Sequence, residues 1–199
     1  NSGTLYEHCL HAIRRASRLG SHGLPLMGTG DWNDGMDQVG AGGKGESVFL
    51  AWFLCAILPR FSALCAKRGD GEEAAAMTTL EHTLRANLEK HGWDGQWYRR
   101  AFFDDGTPLG SAGNSECSID AISQAWSVLA GGPQKRSRKA MEAVWRKLVD
   151  EGTGIIKLLD TPFANQLPRA GYIQGYLPGL RENGGQYTHA AAWVVLAVA

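Results

Sequence analysis

The sequence predicts an all-α fold in which an inner ring of helices is wrapped by an outer ring. Three observations lead there. Apolar residues recur with a period of about 3.6 along most of the chain. Amphipathic helices alternate with helices that are apolar nearly all round, as an outer and an inner layer require. Short connections alternate with long, glycine-rich ones, so the long ones all emerge at one end of the ring.

The elements follow in order. Leu5, Cys9, Ala12, Ile13 and Ala16 mark a first amphipathic helix. Val48 to Leu58 is apolar nearly all round and is expected to be buried, with Pro59 ending or kinking it. Met77, Leu80, Leu84 and Leu88 form one stripe, and Glu81 and Arg85 are spaced to pair on that helix. Ile119, Ile122, Trp126 and Leu129 mark another helix, stopped by Gly131-Gly132-Pro133. Met141, Val144, Trp145, Leu148 and Val149 form an amphipathic stripe, and Ala190 to Ala199 is apolar throughout. The links leaving the apolar helices are short, punctuated by Gly69-Asp70-Gly71 and Gly131-Gly132-Pro133. The links entering them, about 20–45, 91–116 and 152–186, are long, and such loops in a compact domain usually carry function.

Composition narrows the function. The 199 residues allow one domain with a sizeable core. Basic and acidic residues balance at 20 each, so no basic field draws nucleic acid or a membrane surface. No apolar run is read as reaching the roughly 18–20 residues of a membrane span. Cys9, Cys55, Cys65 and Cys117 are scattered, which favours reduced, buried thiols over a disulfide framework or a zinc site. No metal is expected. The 26 glycines and 7 tryptophans suit sugar binding, although either can be structural.

The first long link reads Gly28-Thr29-Gly30-Asp31-Trp32-Asn33-Asp34-Gly35-Met36-Asp37. Glycosidic cleavage needs a proton donor at the leaving oxygen, and clustered carboxylates can hold one of their number protonated. Trp32 could stack on a sugar ring. The competing reading is a helix cap or a calcium loop, although the glutamate that ends a calcium loop is missing. In the second link, Trp93 to Gly106, aromatic and charged residues alternate as in a short β-ribbon. Arg99 or Arg100 could face a substrate there, but a supporting hairpin is the favoured reading. The third link, Tyr172 to His189, carries Arg181-Glu182-Asn183 and ends with His189 at the start of an apolar helix. A helix N-terminus favours an anion there. A lone histidine is more often a satisfied core residue, but this one has charged neighbours suited to a ligand.

The runs Leu24 to Met36 and Gly175 to Trp193 resemble glycoside hydrolase family 94, which contains cellobiose and chitobiose phosphorylases. Gly43-Lys44-Gly45-Glu46-Ser47 and Trp97-Tyr98-Arg99-Arg100-Ala101 bring the chain nearest to the C-terminal, phosphorylase-like region of cyclic β-1,2-glucan synthases. The resemblance covers the entire chain. It implies an (α/α)6 barrel, of which 1–199 would be a part with about three helix pairs, truncated at both ends. It implies reversible, inverting phosphorolysis of a β-glucoside, with Asp34 as general acid and inorganic phosphate as nucleophile and co-substrate. It further implies that Trp32, Tyr176, Arg181 and Glu182 bind sugar and that His189 binds phosphate. The basic position is often lysine in the family, and further phosphate ligands lie outside this stretch.

The implied partners are a β-glucan oligosaccharide and phosphate or glucose 1-phosphate, with no organic cofactor and no nucleic acid. Two alternatives stay open: an inverting hydrolase with Glu182 as base, and a non-catalytic glucan-binding or length-measuring module. The isolated chain is expected to be soluble and inactive and to self-associate, most simply as a homodimer. The expected location is cytoplasmic, compatible with an inner-membrane parent that holds this region on the cytoplasmic side. Asp31 is expected to orient the Asp34 loop.

Overall fold

The computed structural model describes residues 2–199. Six helices dominate: α1 (Leu5–Ala16), α2 (Val48–Lys67), α3 (Gly71–Asn87), α4 (Ala121–Leu129), α5 (Gln134–Leu148) and α6 (Thr188–Val198). They form three outer–inner pairs. The apolar α2, α4 and α6 lie side by side, α2 against α4 and α4 against α6. The amphipathic α3 and α5 cover α2 and α4. Tyr6 of α1 stacks on Phe61 of α2 at 5.6 Å and donates to Asp70 at the start of α3. This is a partial all-α barrel, as the alternating pattern predicts.

Helix boundaries follow local chemistry. Thr4 and Glu7 cap α1 reciprocally, Ser47 caps α2, Asp70 caps α3 and Asp120 caps α4. The Glu81–Arg85 pair forms on α3, and Arg85 also reaches the carbonyls of Ala130 and Gly131, tying α3 to the α4–α5 turn.

Several expectations need correction. Pro59 does not end α2, which continues to Lys67. Phe61 and Cys65, beyond the proline, are buried in the main core, and their burial offsets the ~3 kcal/mol that an interior proline costs. The resulting 20-residue α2 is long and apolar enough to cross a membrane by length and composition, contrary to the sequence reading. Nine of its residues, from Val48 to Cys65, are instead buried inside the domain. In α1 the inward face is rotated: Leu10 and Ile13 are buried, whereas Leu5 is 80% exposed and Ala12 is exposed. Tyr6 and Cys9, not Leu5, flank the buried pair. Trp145 is also mostly exposed, its indole donating to Glu151 at the end of the α5 stripe.

The long links lie where the inner helices begin. The expected ribbon in the second link is shorter than read. Its strands β2 (Ala101–Phe102) and β3 (Pro108–Leu109) pair with each other, and β2 also pairs with β1 (Glu46–Ser47) at the end of the first link. Strand β4 (Ile119–Asp120) opens α4. Strands β5 (Val149–Asp150) and β6 (Ile155–Ile156) form a hairpin, and β7 (Leu159–Asp160) pairs with β4. The three links are thereby stitched to one another.

The far side of the inner helices is open. A groove of about 650 Å³ runs along α2, α4 and α6, lined by Phe53, Ile57, Leu64, Trp126, Trp193 and Leu196. On α6 only Ala190 and Val194 are buried, and Leu196 is 61% exposed. The four cysteines are free, and three of them are buried.

Candidate active site

The first link is fixed from beneath by an ion pair. The Arg100 guanidinium, 0% exposed, reaches Asp31 with two hydrogen bonds of 2.7 and 2.6 Å. Ser47 Oγ donates to Asp31 Oδ2 at 2.6 Å while also capping α2. Burial acts to raise the Asp31 carboxyl, but the Arg100 charge and the donated hydrogen bonds outweigh it and hold Asp31 below the usual carboxylate range. On the other side of the guanidinium, Asp120 Oδ2 lies 3.4 Å from Arg100 Nε, and neither atom completes a hydrogen bond. Burial pushes Asp120 up to about 6, with Arg100 opposing that shift only in part.

From this anchor the chain rises to Asp34. Asn33 N–H donates to Asp31 Oδ1, and Asn33 Oδ1 accepts from Gly35 N–H, each at 3.0 Å, which starts a 3-10 turn at Asp34–Met36. Met36 is fully buried and pins the turn, while Asp34 stays exposed. The three carboxylates of the motif are therefore separated by their partners. Asp31 serves Arg100, Asp37 accepts the Tyr172 N–H at 3.0 Å, and Asp34 faces solvent.

The third link packs directly on this turn. A 3-10 turn at Tyr172–Gly175 contacts Asp34–Met36, with Ile173 buried against it. Gly171 adopts φ +141°, and a Cβ there would meet Asp37 Oδ1 at 2.2 Å and the Gly35 carbonyl at 2.5 Å, so only glycine fits. Burial, and then the charge of Asp34 and the nearby Tyr176, Glu182 and Asp37, raise the Tyr172 hydroxyl above its ordinary value.

Amides hold the rest of this link. Asn183, 0% exposed, accepts from Phe163 N–H at 2.7 Å and donates to the carbonyls of Phe163 and Tyr176, both at 2.9 Å. Arg181 has the left-handed φ of +50°, and its guanidinium lies 4.5 Å over the Tyr176 ring. Such backbone costs about 1 kcal/mol or more for a non-glycine residue, and it collects at functional sites. Glu182 Oε2 is buried without a hydrogen-bond partner, 3.4 Å from Arg181 Nε.

Trp32 and His189 join the first link to α6. The Trp32 indole N–H donates to His189 Nδ1 at 3.0 Å. Trp32 also meets the rings of Tyr187 at 5.3 Å and Trp193 at 5.5 Å, and His189 lies 4.2 Å from Trp193. Among the described residues, α2 and α4 begin with a side-chain cap, whereas α6 begins at Tyr187 without one. The first-turn N–H groups beside His189 therefore remain available to an acceptor.

The structure brings Asp34, Trp32, Tyr176, Arg181, Glu182 and His189 to one end of the inner helices. It leaves Arg99 and Arg100 out. Arg99 donates to the carbonyls of His91 and Trp93, and Arg100 is sealed beneath the Asp34 loop. Sequence reasoning missed Tyr172, Tyr187, Trp193 and Asp120 as neighbours of the site. Asp120 carried a signal, an acidic residue just before an apolar helix, that reads as a cap.

Comparison with known proteins gives the family of the chain. Over 199 residues the chain is 50% identical to the cyclic beta-(1,2)-glucan synthase NdvB of Rhizobium meliloti, covering 99% of this chain and 7% of that protein. It is 36% identical to a solabiose phosphorylase of Paenibacillus borealis, covering 98% of the chain and 26% of the relative. It is 28% identical to an N,N'-diacetylchitobiose phosphorylase of Vibrio furnissii, covering 98% and 24%. The chain thus spans about a quarter or less of the length of these relatives. Residues 1–199 match the catalytic domain of the Glycosyl hydrolase 94 superfamily, and the chain belongs to that family of carbohydrate-active enzymes.

Proposed function

We propose that this chain supplies the proton donor, the sugar contacts and part of the anion site for inverting phosphorolysis of a β-glucoside, with a β-1,2-glucan as the substrate class. The observation that carries the reading is that Trp32, two residues from the exposed Asp34, donates to His189 at an uncapped helix start. Phosphate oxygen would attack the anomeric carbon as the glycosidic C–O bond breaks. The Asp34 carboxyl proton would pass to the leaving sugar oxygen. The products are α-glucose 1-phosphate and a glucan shortened by one unit. A phosphorolytic site needs one carboxylic acid and an anion site, whereas an inverting hydrolase needs a second carboxylate to activate water. Tyr176, Arg181 and Glu182 would contact a sugar held beside Asp34. The 50% identity to a cyclic beta-(1,2)-glucan synthase supports the linkage.

The test is product formation by the intact polypeptide with and without inorganic phosphate. Glucose 1-phosphate should appear only with phosphate. Asp34→Asn should lower turnover by at least about 10²-fold, the low end for loss of a general acid, with sugar binding largely retained. Near-normal turnover in that variant would remove Asp34 from the role. One observation favours the hydrolytic alternative: the unpartnered Oε2 of Glu182 could accept a proton from water. Reducing-sugar release without phosphate, abolished by Glu182→Gln, would select it.

A further inference from the structure

We propose that Trp32 is a positioning residue for the anion site: its indole N–H fixes His189 as the neutral tautomer that presents Nε2–H to phosphate. This rests on the reading of His189 as a phosphate ligand, and it assigns Trp32 a task other than stacking on sugar. An indole nitrogen can only donate. At 3.0 Å from His189 Nδ1 it requires a lone pair there. An imidazolium carries hydrogens on both nitrogens and could not accept this bond. The ring therefore keeps its one proton on Nε2, and the nitrogen left for a ligand is a donor. The opposite tautomer would turn a lone pair toward an anion.

The geometry leaves the pair little freedom. Trp193 holds the imidazole at 4.2 Å, while Tyr187 meets the Trp32 ring edge-on at 5.3 Å, interplanar angle 90°. The ring atoms of Trp32 are thus engaged with the opening of α6. Nε2–H and the uncapped first-turn N–H groups of α6 together form an array of neutral donors, the complement of a phosphate oxygen. Trp32 also stands two residues from Asp34, on the loop fixed by Asp31. A shift of that loop would move the proton donor and loosen the anion site together.

The test uses the intact polypeptide, with histidine and tryptophan labelled with ¹⁵N. Scalar coupling across the N–H···N bond should link Trp32 Nε1 to His189 Nδ1, and the attached proton of His189 should be on Nε2. Inorganic phosphate should shift the Nε2–H resonance. Trp32→Phe keeps an aromatic ring and deletes the donor. It should raise the KM for phosphate by about tenfold, in line with losing an orienting partner of a functional histidine, with kcat and the glucan KM changed far less. A rise in glucan KM with phosphate KM unchanged would make Trp32 a sugar platform and overturn the proposal. Absence of the coupling, or a proton on Nδ1, would overturn it whatever the activity. Coupling intact in an enzyme that turns over without phosphate would instead refute the phosphorolytic reading on which the proposal rests.

Discussion

The first and third links meet at the same site but are held by opposite means. The Asp34 loop stands on a sealed guanidinium between two carboxylates, Asp31 and Asp120. The Arg181–Glu182 loop hangs from the neutral amide of Asn183, and its two charged side chains pair with each other at 3.4 Å, with Glu182 Oε2 completing no hydrogen bond. In one loop charge is spent on the scaffold. In the other the charges lie at or near the surface, where the proposed function would use them on the ligand. A proton donor needs a fixed position relative to the leaving oxygen, whereas sugar-binding groups need free donors and acceptors. The contrast fits that division of labour.

The widest break in this contrast is Arg100→Met. It should destabilise the fold by about 3–5 kcal/mol, because Asp31 would be left buried without its partner. Urea denaturation reads this, and a loss below about 1 kcal/mol would mean that the ion pair does not anchor the loop. Asn183→Ala should cost less, about 1–3 kcal/mol, from the unsatisfied N–H and carbonyl of buried Phe163. Arg181→Ala, one residue away, should stay within about 0.5 kcal/mol because its side chain is mostly exposed. If both substitutions cost the same, the third link is not divided into an amide scaffold and free charges as described.

A pH-dependent effect sharpens the first region alone. Asp120 has a folded pKa of about 6, above its ordinary 3.8. Its contribution to stability is therefore fully present below about pH 4 and is lost as pH rises through 6. Asp31 is shifted the other way, so its contribution holds above its ordinary value and is lost as pH falls below it. Between pH 4 and 6 the two can be separated. Asp120→Asn should remove one declining component from the stability profile across that window, measured as the urea midpoint at successive pH values. An unchanged profile would mean that Asp120 titrates alike in both states.

Much of this was legible in the sequence. The alternation of amphipathic and apolar helices gave the layers, and the unequal links put the long loops together where the inner helices begin. Asp31 was expected to orient the Asp34 loop, and it does so through Arg100 and Asn33. The burial of Arg100 was not legible, because a charged residue in an aromatic hairpin shows its partner only once two distant links meet. Of the two readings of Pro59, the helix end is the one excluded, because burial of Phe61 and Cys65 on the far side carries α2 on to Lys67. The rotated face of α1 has a similar origin, since Tyr6 is drawn inward by Phe61 and Asp70, residues outside its own helix. The Trp32–His189 bond carried no sequence signal at all.

That last bond also bears on how the molecule folds. It joins residues 157 positions apart, and the Asp31–Arg100 pair spans 69. Helices α2 and α3, by contrast, are neighbours joined by a turn of three residues, Arg68 to Asp70. Local helical hairpins close quickly, while contacts of high sequence separation wait for loop closure. Refolding should therefore recover helical circular dichroism before Trp32 reaches His189, so a chain with most of its native helix would still lack the contact on which the proposed anion site depends. Binding competence, followed by phosphate or by Trp32 fluorescence, becomes a clock for the final step of folding.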